Sequence, residues 1–129
     1  MVITLKNILA IAFISVIAGY SNAQPGGRSS WSGFAETGQA SYYADKLQNR
    51  LTASGAIYKH ELHTAAHKKL PFGSMVKVTN IKNGKSVVVK INDRGPFVKG
   101  RIIDLSKAAF SSIGSTSLGL INVKIEVLR

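Results

Sequence analysis

Residues 87–97 read Val87-Val88-Val89-Lys90-Ile91-Asn92-Asp93-Arg94-Gly95-Pro96-Phe97. A β-branched run of this kind forms a buried strand, and the Gly-Pro pair then forces the chain out of the sheet. Asp93 is thereby delivered at a strand end, on the rim of a rigid scaffold, where chemistry-bearing groups tend to sit. Farther along, Arg101-Ile102-Ile103 runs into Asp104-Leu105-Ser106 and repeats the arrangement. Two carboxylates at two neighbouring strand ends can form an acid/base site. The local alternative is that Asp93 supports the turn and Asp104 caps a helix.

Outward from this stretch the chain reads as one small β-rich domain. Met75 to Thr79 and Ser86 to Ile91 form a hairpin, with Asn83-Gly84 between them favouring a type I′ turn. Ile121 to Val127 alternates strictly between apolar and polar residues and forms a closing strand. Gln39 to Tyr43 forms a first strand, and Thr52 to Tyr58 holds a turn at Ser54-Gly55 with a short strand. His63 to Lys69 suits one or two helical turns capped by Thr64. Asp104 to Ile113 suits a helix with Asp104 at its N-cap and Gly114 at its stop. Short strands with one or two short helices predict a mainly β, mostly antiparallel barrel.

The 129 residues allow one domain, and the N-terminus is not expected to belong to it. A single cation, Lys6, precedes the apolar stretch Ile8 to Ala18, and Ser21-Asn22-Ala23 offers small residues for a signal peptidase. Residues 1–23 therefore read as a secretory signal peptide, too short for a comfortable membrane span. Residues 24–37, rich in Gly and Ser, read as a flexible linker, and 38–129 as the folded domain. Export predicts a periplasmic or secreted protein without stable membrane insertion.

Cysteine is absent, so the exported domain must be held by apolar burial alone. That also excludes thiol catalysis, cysteine-bound zinc and a lipid-modified cysteine. Lys and Arg number 17 against 6 acids, a formal charge of +11. Such a surface seeks polyanions, and for an exported protein these are wall polymers or anionic membranes. Nucleic acid is not an expected partner, since neither a basic recognition helix nor an aromatic RNA-binding motif is present. His60, His63 and His67 share a spacing that suits zinc on a helix. Thr64, however, stands where His-Glu-x-x-His requires its second histidine, so no metal is expected.

Seven blocks occur in order: Gly38-Gln39-Ala40-Ser41-Tyr42-Tyr43, Thr52-Ala53-Ser54-Gly55, Thr64-Ala65-Ala66-His67, Leu70-Pro71-Phe72-Gly73, Val76-Lys77-Val78-Thr79-Asn80, Asn92 to Phe97, and Arg101 to Ser106. Together they resemble the rare lipoprotein A (RlpA) family of bacterial peptidoglycan lytic transglycosylases. The resemblance covers essentially all of 38–128. It implies a six-stranded double-psi β-barrel, and cleavage of the MurNAc–GlcNAc bond of peptidoglycan with a 1,6-anhydromuramyl product and no cofactor. Without the lipid-attachment cysteine and C-terminal repeat domain of many members, the chain is expected to be a minimal exported form. The family usually carries a catalytic glutamate after its Thr-Ala-Ser-Gly block, and here that position is Ala56. The alternative is therefore an expansin-like module that binds or loosens glycan without cutting it.

Glycosidic cleavage needs a proton for the leaving oxygen and support for an oxocarbenium-like transition state. A transglycosylase uses the muramic acid's own 6-hydroxyl as nucleophile, so one carboxyl can first give and then recover the proton, and proximity favours the attack. Asp93 is the expected acid/base, with Asp104 as a second carboxylate and His67, matching the family's Thr-Ala-Ala-His block, as a group that orients Asp93 or hydrogen-bonds the sugar. Arg94 adjoins Asp93 and could instead pin it as an ion. Tyr42 and Tyr43 offer rings that can stack on sugar. Arg94 offers a cation for lactyl or stem-peptide carboxylates. Thr64 and Asn92 complete the expected substrate-binding set.

Overall fold

A computed structural model describes residues 31–129. The signal peptide expected over 1–23 and the linker from 24 to 30 lie outside the described residues. Six strands form the scaffold: β1 (Ala35–Tyr42), β2 (Thr64–Ala66), β3 (Met75–Asn80), β4 (Ser86–Asp93), β5 (Arg101–Leu105) and β6 (Ile121–Val127). Among the described residues, one α-helix, α1 (Lys107–Ile113), and 3-10 turns at Asp45–Leu47 and Thr116–Leu118 complete it. The strands close in the order β1-β5-β2-β4-β3-β6. The β1–β5 and β2–β4 pairs are parallel and the other four antiparallel. This is the expected six-stranded double-psi barrel.

Closure follows from period-two patterning. In β4, Val87, Val89 and Ile91 point inward, whereas Val88 and Lys90 face solvent. The Val-rich run is thus half-buried, not buried on both faces as its composition suggests. Val76 and Val78 of β3, Ile103 and Leu105 of β5, and Val123 and Ile125 of β6 meet it in one fully buried core. Phe110 and Ile113 of α1 plug that core from one end. Gly38 is required by close approach: a Cβ there would lie 2.6 Å from Ile102 Cγ2.

Several local expectations are corrected by tertiary pairing. Within the 63–69 segment Thr64–Ala66 is strand and no residue is helical, so Thr64 caps nothing. Ala65 and Ala66 are hydrogen-bonded between β4 and β5, where their small side chains fit. Strand β5 continues through Asp104, paired to Ser41 on one side and Ala66 on the other, so Asp104 is not a helix cap. Ser106 takes that role: its Oγ accepts the Ala109 N–H at 3.2 Å. Strand β1 begins at Ala35, within the expected linker, because β6 supplies partners down to Ala35↔Glu126. Trp31 and Phe34 also pack against the core. In the β3–β4 connection only Gly84 has positive φ (76°), so the turn is not type I′. Asn80 instead organises it, accepting from Gly84 N and Lys82 N, while Asn80 and Asn83 donate to Ile113 O at the end of α1.

Candidate active site

Strand register brings the two aspartates together. Ala66 pairs with Asp93 across the parallel β2–β4 ladder and with Asp104 across the antiparallel β2–β5 ladder. The two acids therefore flank one alanine, about 10 Å apart at Cα for two strand spacings. Both line an open cleft of about 370 Å³ with Tyr42, Tyr43, Ala66, Arg94 and Arg101.

Their environments differ. Asp93 Oδ2 accepts the Tyr43 hydroxyl at 2.6 Å. Its Oδ1 accepts the backbone N–H groups of Ala53 (2.8 Å) and Arg94 (2.9 Å). The Ala53 contact exists because the 52–56 turn docks on the end of β4, where Ser54 N also donates to Asn92 O. All three donors are neutral, and no cation is within ion-pair distance of Asp93 among the described residues. Asp104, by contrast, is ion-paired: Arg101 donates to Oδ1 at 2.7 Å, and Ser41 Oγ donates to the same oxygen. The buried Arg101 Nε has no protein partner, and neither does Asn92 Oδ1.

Tyr43 is held as a donor. Burial, then the hydrogen bond to Asp93, then the charges of Asp93 and Asp104 push its phenol far above the ordinary tyrosine value. Its ring stacks on Tyr58, with centroids 4.1 Å apart and planes at 10°. That face is unavailable to sugar. Tyr42 is committed as well: its ring leans on Phe110 at 4.8 Å and its hydroxyl donates to Thr116 O at 3.0 Å.

Arg94 does not pin Asp93. Its guanidinium donates to the carbonyls of His67 (3.2 Å) and Leu70 (2.8 Å) and lies 4.1 Å from the Phe72 ring centroid. His67 is the clearest departure from expectation. Its ring is buried outside the cleft, Nδ1 accepting the Lys69 and Leu70 N–H groups and Nε2 donating to Glu36 at 3.0 Å. A ring committed at both nitrogens cannot orient the Asp93 carboxylate. The backbone of His67 touches that residue instead, donating its N–H to Asp93 O at 3.1 Å.

Thr64 and Asn92 line a second groove, also about 370 Å³, together with Ala56, Leu62, Phe72 and Lys90. Asn92 and Asp93 thus serve adjoining hollows, as successive strand residues must. Ser41, Arg101 and Tyr58 were not among the sequence candidates. The strand alternation around Asp104 could have flagged Ser41, whereas the Tyr58 stack depends on chain folding between positions 43 and 58. Among the described residues no cluster of His, Asp and Glu is arranged to hold a metal ion.

The chain matches the lytic transglycolase family over residues 35–125. It is 55% identical over 98 residues to the endolytic peptidoglycan transglycosylase RlpA of Pasteurella multocida, covering 76% of this chain and 33% of that protein. Against the protein of the same name from Vibrio cholerae the identity is 57% over 96 residues, covering 74% and 36%. The chain thus spans about a third of the length of these curated relatives. Among solved structures, the Streptomyces papain inhibitor superposes with a TM-score of 0.63 at 24% identity, covering 76% of this chain and 97% of that one. A Clavibacter michiganensis expansin in complex with cellohexaose superposes at 0.58 with 20% identity, covering 74% and 51%. At these identities the structural likeness is one of fold alone. The sequence match runs from the first residue of β1 almost to the end of β6 and takes in both cleft aspartates, and on that ground the chain belongs to the lytic transglycolase family.

Proposed function

We propose that this chain is a peptidoglycan lytic transglycosylase that cuts the MurNAc–GlcNAc bond and leaves a 1,6-anhydromuramyl end. One observation carries the reading: two carboxylates flank Ala66 on one cleft, with a cationic partner for Asp104 and only neutral donors for Asp93. Two acids in unlike environments are suited to unlike roles. Asp104, compensated by Arg101, serves as a fixed negative charge beside the developing oxocarbenium. Asp93, whose charge has no cation to balance it, takes up and returns the proton.

In the reaction Asp93 protonates the glycosidic oxygen as the bond to C1 breaks. The muramic 6-hydroxyl attacks C1 and its proton passes to Asp93, which restores the acid. No water is consumed and no cofactor is needed. Tyr43, whose phenol keeps its proton, steadies the carboxylate and does not act as the acid. Arg94 and Arg101 line the cleft as cations for the lactyl carboxylate. An exported location, periplasmic or outside the cell, follows from a wall substrate and the leader read over 1–23.

Ala56 favours a second reading. It lines the groove beside Asp93 where the family usually carries glutamate, so a module that binds glycan without cutting it is the rival. Purified protein incubated with peptide-free glycan strands separates the two. Mass spectrometry finds 1,6-anhydromuramyl ends if the chain cuts; retention on the strands with no such ends leaves only the module.

A further inference from the structure

Behind the cleft lies a chain of polar groups that the proposed reaction does not use. The Tyr58 ring, 1% exposed, forms the flat wall against which Tyr43 stacks. Its hydroxyl is fixed twice. It accepts the backbone N–H of Lys107 at the start of α1 (3.1 Å) and lies 2.6 Å from His60 Nδ1. With the Lys107 N–H pointing at the phenol oxygen, the phenol proton goes to Nδ1, and His60 carries its own proton on Nε2. That proton is donated to Asp45 Oδ1 at 3.0 Å, and Lys107 Nζ closes the chain on the same oxygen at 3.0 Å. In neutral His60 the Asp45 carboxylate takes the proton on Nε2, which leaves Nδ1 as the acceptor of the Tyr58 hydroxyl.

We propose that Tyr58, oriented by His60, Asp45 and the first residue of α1, is a positioning residue that acts through Tyr43 to hold the Asp93 carboxylate. The inference rests on Asp93 being the acid/base of the proposed reaction, but the geometry behind it does not. The Asp93 Oδ2 contact comes from Tyr43, just beyond the end of β1, whose N–H is tied to Leu105 O at 3.1 Å but whose ring takes its direction from packing. Its ring is confined by Tyr58, Ala66 and Leu47. Tyr58 in turn lies outside any named strand, and its side chain is referenced to α1 and to His60. Removing the phenol oxygen of Tyr58 leaves the stack but frees the wall to slide, and the 2.6 Å hydrogen bond at Asp93 is the contact that feels it.

The experiment reads the carboxyl carbon resonance of Asp93 by NMR at one fixed pH. The other charged or polar groups facing that carboxylate, Tyr43, Asp104, Arg94 and Arg101, remain in place in every variant except Tyr43→Phe. Tyr43→Phe removes the hydroxyl donor to Oδ2, so the resonance is displaced from its wild-type position. Tyr58→Phe displaces it in the same direction by about a third of that, and His60→Asn, which keeps an acceptor near the Nδ1 position, displaces it less than His60→Leu. Val123→Ala, a core change on the far wall, gives a comparable loss of thermal stability with an unmoved resonance. A Tyr58→Phe resonance equal to wild type, with the Tyr43→Phe displacement intact, overturns the positioning role. An unmoved resonance in Tyr43→Phe overturns it at its root. The readout needs no turnover, so absence of anhydro ends in the wild type would sink the proposed function while leaving this result to stand by itself.

Discussion

Replacing Asp93 by asparagine separates chemistry from stability, and the geometry sets both magnitudes. The amide is isosteric, and its oxygen can keep the Ala53 and Arg94 N–H groups while the Tyr43 hydroxyl turns to accept from the new NH2. Three charge-assisted hydrogen bonds become neutral ones. At about 1.5–3 kcal/mol for the first kind and about 0.5–1.5 for the second, each loses about 1 kcal/mol. Against this, a partly buried carboxylate without a cation no longer has to be desolvated, which offsets most of the loss. A net change of about 1 kcal/mol lowers the melting temperature by about 4–8 °C in a domain of this size. Activity should fall much further. Without a transferable proton the general acid–base contribution of about 100- to 10,000-fold disappears, equivalent to about 3–5 kcal/mol in the barrier. The assay counts 1,6-anhydromuramyl ends released per minute from peptide-free strands, at a temperature where calorimetry finds both proteins folded. Asp93→Asn turnover within threefold of wild type would refute the assignment and transfer the proton to another group.

Three further outcomes are expected. Ser106→Ala removes the side-chain acceptor at the start of α1 and should cost about 1 kcal/mol, read as a melting temperature lower by about 4–8 °C with turnover per folded molecule unchanged. In an alkaline titration monitored by ultraviolet absorbance, Tyr43 and Tyr58 should stay un-ionised past the ordinary value of 10.0, because burial raises both. The folded values exceed the unfolded ones, so this stabilisation is complete below pH 10 and is lost as pH rises beyond it, when the unfolded chain ionises first. Denaturant midpoints that fall above pH 10 in wild type and fall less steeply in Tyr43→Phe would bear this out. Ala56→Glu should raise the rate of anhydro-end formation, since it restores a carboxylate to the groove beside Asp93. Absence of any gain would mean that the groove serves another purpose in this chain.

Much of the scaffold was legible locally. The alternation in 121–127 and 75–79 and the Gly-Pro stop after Asp93 depend on the two-residue period of a strand, which operates within a few residues. The seven motif blocks identified the barrel and delivered Asp93 and Asp104 at strand ends, and both do face one cleft. The failures share a cause. Thr64–Ala66 has no strand-like composition, and it becomes strand only because β4 and β5 present unsatisfied backbone groups on either side of it. The same pairing draws Asp104 out of the helix that its local spacing suggests, and passes the cap to Ser106.

At the site, sequence alone determined which side chains carry charge and which strand each one ends. It could not determine their partners. Asp93 and Arg94 are neighbours in the chain, yet the guanidinium goes to the carbonyls of a turn more than twenty residues away. His67 shares a motif with the cleft residues, yet its ring is spent on Glu36 and on two backbone N–H groups. Residue types and periodicity are properties of a few bonds along the chain, whereas hydrogen-bond partners are decided by which distant segments the closed barrel brings within 3 Å. The cation of Asp104 is local, Arg101 standing three residues back on the same strand, but the Tyr43 and Ala53 donors of Asp93 come from segments that only the closed barrel brings to it.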